Sequence, residues 1–449
     1  MDLPLSEPSV EPPLPRVAII GSGITGLAAA WRLRGDCDVT LFEEATRLGG
    51  HANTRDVIDS TGATVPVDTG FIVHNRRTYP YLLALLEELD VPTIETEMSL
   101  AVECRECGIQ YAGRRPASLL IGALRRPRLL GLLVQVGRFM RRATRELESG
   151  IDDHETLREW SRRHRFGRTF ETHFLLPLTA SVWSAPPGTA LDMPAGFILA
   201  FLDNHGMLST ARLPWRTIEG GSRTYVDRLV RGLVAAGADV RRGTPVTSIE
   251  QSSEGRVSVF TADSVERFDA VLVATHADAA LALLTAPTPL QRELLGSWTY
   301  TENTVELHDD ESELPTQHSA RASWNYRLET CTGHGSVPTV SYDLTRLQAL
   351  DTPQRWIVTL NGPGVDPERV AYATTYRHPQ LDVRAVEAQR RMHELDVEAL
   401  DTRISFAGAW RGYGFHEDGA REGTRAAERL LSAIAAAATP AASAEPTHA

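Results

Sequence analysis

The sequence predicts an α/β protein, with a Rossmann-like dinucleotide-binding domain built from separated segments and joined to an α+β substrate-binding domain. Three observations carry this. A strand, a glycine-rich turn, a helix and a second strand follow one another at the N-terminus, with Gly21-x-Gly23-x-x-Gly26 in the turn and Glu43 closing the unit. Buried-strand patterns return at Ala270–Ala274 and Ile404–Gly408. Two long stretches, Arg76–Trp215 and Pro287–Leu395, separate these pieces.

In chain order, Arg16–Ile20 is a short apolar strand, Ile24–Leu33 a helix with small residues facing it, and Asp38–Phe42 an alternating strand. Val246–Glu250 and Arg256–Thr261 read as paired strands, and the helix His276–Leu284 follows the buried strand. After Ile404–Gly408 come a glycine-rich turn and a long helix from about Gly419 to Ala437. The first insertion reads as mainly helical, the second as strand-rich, with Ser336–Tyr342 and Trp356–Leu360. The expected division is 16–75, 216–286 and 396–437 for the nucleotide domain, 76–215 and 287–395 for the substrate domain, and disordered tails at 1–15 and 438–449.

The 449 residues exceed a usual single domain and hold enough apolar content for real cores. There are 58 acidic and 46 basic residues, a net charge of −12, which disfavours nucleic acid as a partner. Every basic residue is arginine, so Schiff-base, pyridoxal-phosphate and phosphate-loop chemistries, which need a lysine amine, are excluded. Met1–Pro15 lacks the basic and apolar regions of a signal peptide, and no uncharged apolar run is long enough to span a membrane. The protein is therefore expected in the cytoplasm. Of the four cysteines, Cys104 and Cys107 form a CxxC with no second pair to complete a zinc site, so ordinary reduced thiols and no metal are expected, with a redox-active pair as the alternative.

In the first turn Gly21 permits a tight bend, Gly23 lets backbone approach a pyrophosphate, and Gly26 lets helix pack on strand. The N–H groups of the first helical turn, at Ile24 and Thr25, face the phosphates with the positive end of the helix dipole. Glu43, 22 positions beyond Gly21 and followed by Glu44, is placed to accept hydrogen bonds from the adenosine ribose.

Arg47-Leu48-Gly49-Gly50 resembles the second glycine motif of the amine oxidoreductase superfamily of flavoproteins, which includes monoamine oxidases, protoporphyrinogen oxidase and carotenoid desaturases. The resemblance implies FAD, with Arg47, Gly49 and Gly50 on the pyrophosphate side. Val67-Asp68-Thr69-Gly70-Phe71 is similar to the segment beside the flavin, so Thr69, Gly70 and Phe71 join the implied cofactor site. Glu219-Gly220-Gly221 resembles the turn before a nucleotide-domain helix, Val246 the position whose backbone holds adenine, and Val273-Ala274-Thr275-His276 the closing strand. Phe406-Ala407-Gly408 and Gly419-Ala420-x-x-Gly423-x-x-Ala426-Ala427 resemble the segment that holds ribityl and flavin ring.

Ala409 stands where many relatives carry a glutamate, and the lysine that typical amine oxidases place near flavin N5 is absent. A closer resemblance, over residues 16 to 435, is to a bacterial group known only as predicted NAD/FAD-binding proteins. It rests on His205-Gly206, Ser323-Trp324-Asn325-Tyr326-Arg327 and Gly412-Tyr413-Gly414-Phe415-His416-Glu417-Asp418-Gly419. Some members of that group look linked to modification of unsaturated fatty acyl chains.

The expected activity is therefore FAD-dependent removal of a hydride from an apolar, fatty acyl or isoprenoid-like substrate. Alternatives are an amine oxidase acting without the lysine, or a non-catalytic FAD-binding partner of a lipid-modifying enzyme. His416 and Glu417 are the candidate proton acceptors, and Asp418 is the candidate N-cap of a final helix whose dipole faces the flavin. Simple capping is the competing reading for all three. Tyr326, with Trp324, Asn325 and Arg327, is a candidate for the substrate cleft, and His74, Asn75 and His378 are weaker ones; for the strand residues ordinary sheet packing competes. Arg114–Arg145 interleaves nine arginines with leucines and other apolar residues, which fits either a peripheral contact with an anionic membrane or ordinary helices with snorkelling arginines.

Overall fold

The computed structural model describes residues 13–113, 127–152, 154–209, 213–251, 255–332, 339–362 and 364–438. Its centre is a five-stranded parallel sheet, β1 (Arg16–Ile20), β2 (Asp38–Phe42), β10 (Asp239–Arg241), β14 (Ala270–Val273) and β20 (Ile404–Phe406), in the order β10-β2-β1-β14-β20. Val17, Ala18, Ile19 and all of β14 are buried, as expected of parallel strands covered on both faces. The chain moves from β1 to β2 on one side, while β14 joins on the other, so the strand order reverses at the C-terminal ends of β1 and β14. Ligands of open α/β sheets bind in that crevice. Helix α1 (Ile24–Leu33) packs there because Gly26 has no side chain: a Cβ on it would lie 1.9 Å from the Gly21 carbonyl oxygen.

The C-terminal helix, His416–Ala438, lies against α1. Cβ atoms on Gly419 and Gly423 would fall 2.6 Å from Ile24 Cγ2 and 2.1 Å from the Thr25 carbonyl oxygen, so both glycines are needed for this contact. The starts of the two helices therefore meet above the same crevice.

A hairpin of β3 (Thr54–Ile58) and β4 (Thr64–Asp68) follows β2, and β11 (Val246–Gln251), β12 (Val257–Thr261) and β13 (Val265–Phe268) form an antiparallel meander. A small sheet has the order β5-β9-β6, from Val73–Asn75, Trp215–Ile218 and Thr93–Thr96.

The second large layer is a seven-stranded sheet in the order β19-β15-β18-β17-β16-β7-β8. Its strands are β7 (Leu100–Cys104), β8 (Gln110–Ala112), β15 (Thr299–His308), β16 (Trp324–Leu328), β17 (Thr339–Asp343), β18 (Ile357–Leu360) and β19 (Val370–Gln380). Only β16 and β7 pair in parallel. Val305, Leu360, Val340, Tyr326 and Val102 form one cross-strand row, and this face belongs to the largest hydrophobic core.

Several expected boundaries move. The first insertion is not only helical: it supplies β6 to the small sheet and β7 and β8 to the large one. Leu100–Cys104 is a short buried run, which periodicity cannot assign. The boundary expected at 395/396 falls inside the helix Met392–Thr402. The final helix begins at His416, three residues before Gly419. Residues 114–126 of the arginine-rich stretch and 336–338 of an expected strand lie outside the described residues. Among the described residues no helix is long and apolar enough to cross a membrane.

Candidate active site

The phosphate-side candidates converge on the crevice. Gly21 is left-handed (φ +100°), and a Cβ there would lie 2.9 Å from the carbonyl oxygen of half-buried Ala274. Gly23 is the N-cap of α1 and makes no side-chain cap, so the first-turn N–H groups, including those of buried Ile24 and Thr25, have no side-chain partner. Nothing lies within 4 Å of the place a Gly23 Cβ would occupy. Gly49 donates its N–H to the Ser22 carbonyl at 3.0 Å, and a Gly50 Cβ would stand 3.1 Å from Gly23 Cα, which seats the Arg47–Gly50 loop on the first turn.

Glu43 ends β2 with one carboxylate oxygen accepting from Ser22 N–H (2.8 Å) and Oγ (2.6 Å) and the other from Ala45 N–H (2.9 Å). Glu44 points to solvent. Thr244 N–H reaches the Glu43 carbonyl at 2.8 Å, bringing the start of β11, and with it Val246, to this edge. Arg47 differs from expectation. Its guanidinium donates to the carbonyls of Leu48 (3.0 Å), Gly50 (2.7 Å) and Ala52 (2.9 Å), so it braces its own loop rather than extending to a phosphate.

The ring-side candidates meet at the start of the final helix. Phe71 N–H donates to the His51 carbonyl at 2.8 Å, and a Cβ on Gly70 would come within 2.2 Å of that oxygen. Thr69 Oγ1 is 2.8 Å from the Tyr376 hydroxyl, which also accepts from Asn53 Nδ2 at 2.7 Å. The Phe71 ring stacks on His416 at 3.9 Å and 5°. A Cβ on Gly408 would be 2.1 Å from Trp410 Nε1, because that indole crosses the strand end to donate to the Thr275 carbonyl.

Four expected roles need correction. His416 Nε2 is 2.7 Å from the Tyr225 hydroxyl, and burial, with His74 close by, holds its pKa at about 3. A ring so desolvated and engaged is a poor proton acceptor. The Glu417 carboxylate accepts from the N–H groups of Tyr81 (3.0 Å) and Leu82 (2.9 Å), and thereby caps helix α2 (Pro80–Glu88), whose own N-cap, Tyr79, makes no side-chain cap. Burial pushes its pKa up to about 7. Asp418 is not the N-cap: it is the third residue of the helix, accepts from Phe415 N–H at 3.0 Å and pairs with Arg421 at 2.9 Å. Tyr326 is 1 % exposed in the centre of the large sheet, and burial lifts its phenol far above the usual range, so it is a core residue.

The weaker candidates divide. Asn75 holds a turn through Arg77 and Thr78. His74 is fully buried, with neither ring nitrogen partnered among the described residues. His378, His276 and His51 form a group with His51 between them, its ring 5.7 Å from His378 and 6.4 Å from His276.

Sequence reasoning missed His51, Tyr225 and Tyr376 and gave His276 only a place in the closing strand; the importance of all four comes from partners distant in the chain. It also missed the role of Asp68, which is buried and accepts from Ser222 N–H and Oγ, Thr54 Oγ1 and Gln348 Nε2, tying four elements together below the site. The cysteines are not dispersed: Cys104, Cys107 and Cys331 gather with His173.

The model of the flavin containing amine oxidoreductase family matches residues 24–318. This chain belongs to that family. It is an FAD-dependent oxidoreductase with a Rossmann-like cofactor domain and a substrate domain. No curated protein sequence matches it. Among solved structures, cyclohexylamine oxidase from Brevibacterium oxydans IH-35A superposes with a TM-score of 0.65 at 16% identity, over 94% of this chain and 100% of that one. Wild-type putrescine oxidase bound to putrescine gives 0.62 at 14%, over 93% and 99%. A fatty acid isomerase from P. acnes that produces CLA gives 0.61 at 17%, over 93% and 98%. Likeness at these identities establishes the fold.

The crevice fits FAD. The uncapped N-terminus of α1 and the open space at Gly23 suit a pyrophosphate, and Glu43 suits a ribose. Partnerless buried atoms of His51 (Nε2), Asn53 (Oδ1) and His74 (Nδ1 and Nε2) cluster on the ring side, where a heterocycle with donors and acceptors would satisfy them.

Proposed function

We propose that this enzyme dehydrogenates an apolar substrate of fatty acyl or isoprenoid type. The observation that carries the reading is the wall in front of the final helix. Phe415 stacks with Phe201 at 5.0 Å, Phe201 meets Trp183 at 4.7 Å, and Tyr413 meets Phe197 at 4.7 Å. Phe197 also lines a cleft of about 340 Å³ in which Leu147, Ile151, Pro194 and Val386 stand beside the polar Gln389 and Arg390, which we read as the way in for an acyl chain with a polar end.

Nothing charged and free is placed to bind an ammonium group among the described residues of this wall. Glu417 is committed to α2 and Asp418 to Phe415 and Arg421. The imidazoles of His51, His74, His378 and His416 all have pKa values pushed down by burial, so at neutral pH they present lone pairs rather than charge.

Bound FAD supplies the two-electron acceptor. The chain seats it at the crevice, keeps the reacting carbons dry, and turns the N-terminus of the final helix toward developing negative charge. Loss of a hydride and a proton from neighbouring carbons leaves a double bond. The hydride goes to the flavin and the proton to solvent, and the electrons pass on to O₂ or another acceptor. The P. acnes relative, a fatty acid isomerase, adds support for an acyl substrate.

Anaerobic addition of unsaturated fatty acyl compounds is expected to bleach the bound flavin, whereas primary amines leave it oxidised. Bleaching by amines alone, with ammonia and peroxide release in air, would establish the amine-oxidase alternative instead. A flavin reduced by neither class would mark a non-catalytic partner.

We also propose that the helix Pro127–Ser149 brings the enzyme to an anionic membrane. Leu130 and Val134 are 40 % and 65 % exposed, Arg128, Arg141, Arg142 and Arg145 are exposed on the same helix, and its Leu147 lines the same cleft. Flotation with anionic vesicles at low salt should carry the protein upward and neutral vesicles should not. Equal flotation with both, or with neither, counts against it.

A further inference from the structure

We propose that Cys104, Cys107, Cys331 and His173 form a structural zinc(II) site of three thiolates and one imidazole. One ligand atom from each residue lies within 4.8 Å of all the others. Cys104 Sγ is 3.7 Å from Cys331 Sγ, and Cys107 Sγ is 3.3 Å from His173 Nε2. In a tetrahedron with Zn–S of about 2.3 Å and Zn–N of about 2.05 Å, the S···S edge is about 3.8 Å and the S···N edge about 3.6 Å. These two separations are close to the tetrahedral edges and the other four are at most 4.8 Å, and three sulfurs with one nitrogen select zinc among common cellular cations.

The surroundings are built for ligation. Cys104 ends β7, and the turn back to β8 carries the CxxC: Cys104 N–H donates to the Ile109 carbonyl (2.8 Å), Gly108 N–H to the Cys104 carbonyl (2.9 Å), and Gly108 takes φ +71°. The N–H of Cys107 donates to the Cys104 sulfur, which a thiolate accepts better than a thiol. Cys331 lies three residues beyond the end of β16, the parallel neighbour of β7, and its N–H is held by the Glu106 carboxylate at 2.6 Å.

The imidazole is set in the correct tautomer. Thr172 Oγ1 donates its hydrogen to the Arg168 carbonyl at 3.0 Å, so toward His173 Nδ1, 2.8 Å away, it accepts. The ring proton therefore sits on Nδ1 and the Nε2 lone pair faces the sulfurs, as a metal-bound histidine requires. His173 lies in the π-turn Glu171–Leu175, and such turns recur at functional positions.

Binding releases three thiol protons and leaves a site of charge −1, with the guanidinium groups of Arg128 and Arg168 lining the adjoining cleft to balance it. The site joins the end of the seven-stranded sheet to the helical layer, far from the flavin crevice in sequence and distinct from it in chemistry.

The full-length flavoprotein, made in zinc-supplemented medium and gel-filtered without chelator, should hold one zinc per chain by elemental analysis. Cobalt(II) exchange should give thiolate-bound tetrahedral cobalt bands at wavelengths beyond oxidised flavin. Thr172→Val, which leaves all four ligands in place, should weaken zinc retention against a competing chelator by roughly tenfold to a hundredfold. Cys107→Ser should lose the cobalt bands. A wild-type protein that binds neither metal stoichiometrically overturns the site, as does a Cys104–Cys331 disulfide in the native mass or iron in place of zinc. Cobalt bands and zinc retention in His173→Ala equal to those of wild type overturn the ligand role of His173.

Discussion

Replacing Gly26 by alanine is expected to cost the protein its FAD and several kcal/mol of stability. The new methyl would stand 1.9 Å from the Gly21 carbonyl oxygen, 3.0 Å from its carbon and 3.3 Å from Ile19 Cγ2. Two of these contacts are backbone of the turn itself, so no side chain can swing aside. Helix α1 would have to lift from β1 by more than an ångström, and overpacking of this kind costs about 1–3 kcal/mol or more. The same movement carries the first-turn N–H groups away from the phosphate seat. Gly23→Ala provides the contrast, because nothing lies within 4 Å of its added methyl. That variant should melt where flavin-stripped wild type does and retain little flavin, since the methyl fills the space a pyrophosphate needs. Thermal melting and the visible absorbance of gel-filtered protein separate the two outcomes. A Gly26→Ala protein with wild-type melting and full flavin would refute the close-approach argument.

The N-terminal unit was legible because its determinants are local. β1, α1 and β2 occupy the residues that periodicity and glycine spacing assign them, and the family match agrees with the flavin reading of Arg47–Gly50. The final helix was legible as a helix but not in its start: Asp418 is a good N-cap residue, and only the structure reveals that it bonds back to Phe415 from the third helical position. Side-chain destinations were harder still. Glu417 caps a helix more than 330 positions away in sequence, and a carboxylate looks the same in sequence whether it faces a flavin or a helix end. The metal-ligand spacing of Cys104 and Cys107 was visible, but Cys331 and His173 arrive through the pairing of β7 with β16 and the packing of the helical layer. Local pattern fixes elements; long-range pairing decides what their side chains meet.

Acid is expected to destabilise the holoenzyme well above the usual range of carboxylate titration. Five imidazoles around the flavin crevice are held neutral. Burial, then His378, His276, His416 and Arg47, push His51 well below the ordinary value, and burial is the first cause for His74 and His378 at about 4, His416 at about 3, and His276. A base whose folded pKa is depressed contributes stability that is complete above the unfolded value of about 6.5 and is lost as pH falls toward the folded value. Each such ring removes about 1.4 kcal/mol per pH unit through that window. Carboxyls raised by burial act in the opposite sense, their contribution being present at low pH and lost as pH rises: Glu417 at about 7, with Asp68 and Asp418. Elsewhere His173, His205 and His308 are lowered by burial, and Glu306 and Asp343 are raised by it. The lowered imidazoles outnumber the raised carboxyls, so unfolding takes up protons below about pH 6.5 and stability falls as acid is added. Against a typical total of about 5–15 kcal/mol, each net proton taken up lowers stability by about 2 kcal/mol from pH 6.5 to 5. Urea unfolding at saturating FAD across this range measures the slope directly, and His378→Gln should reduce it by about one proton. A stability that stays level or rises between pH 6.5 and 5 would mean that these rings are solvated or charged in the native protein, contrary to their burial.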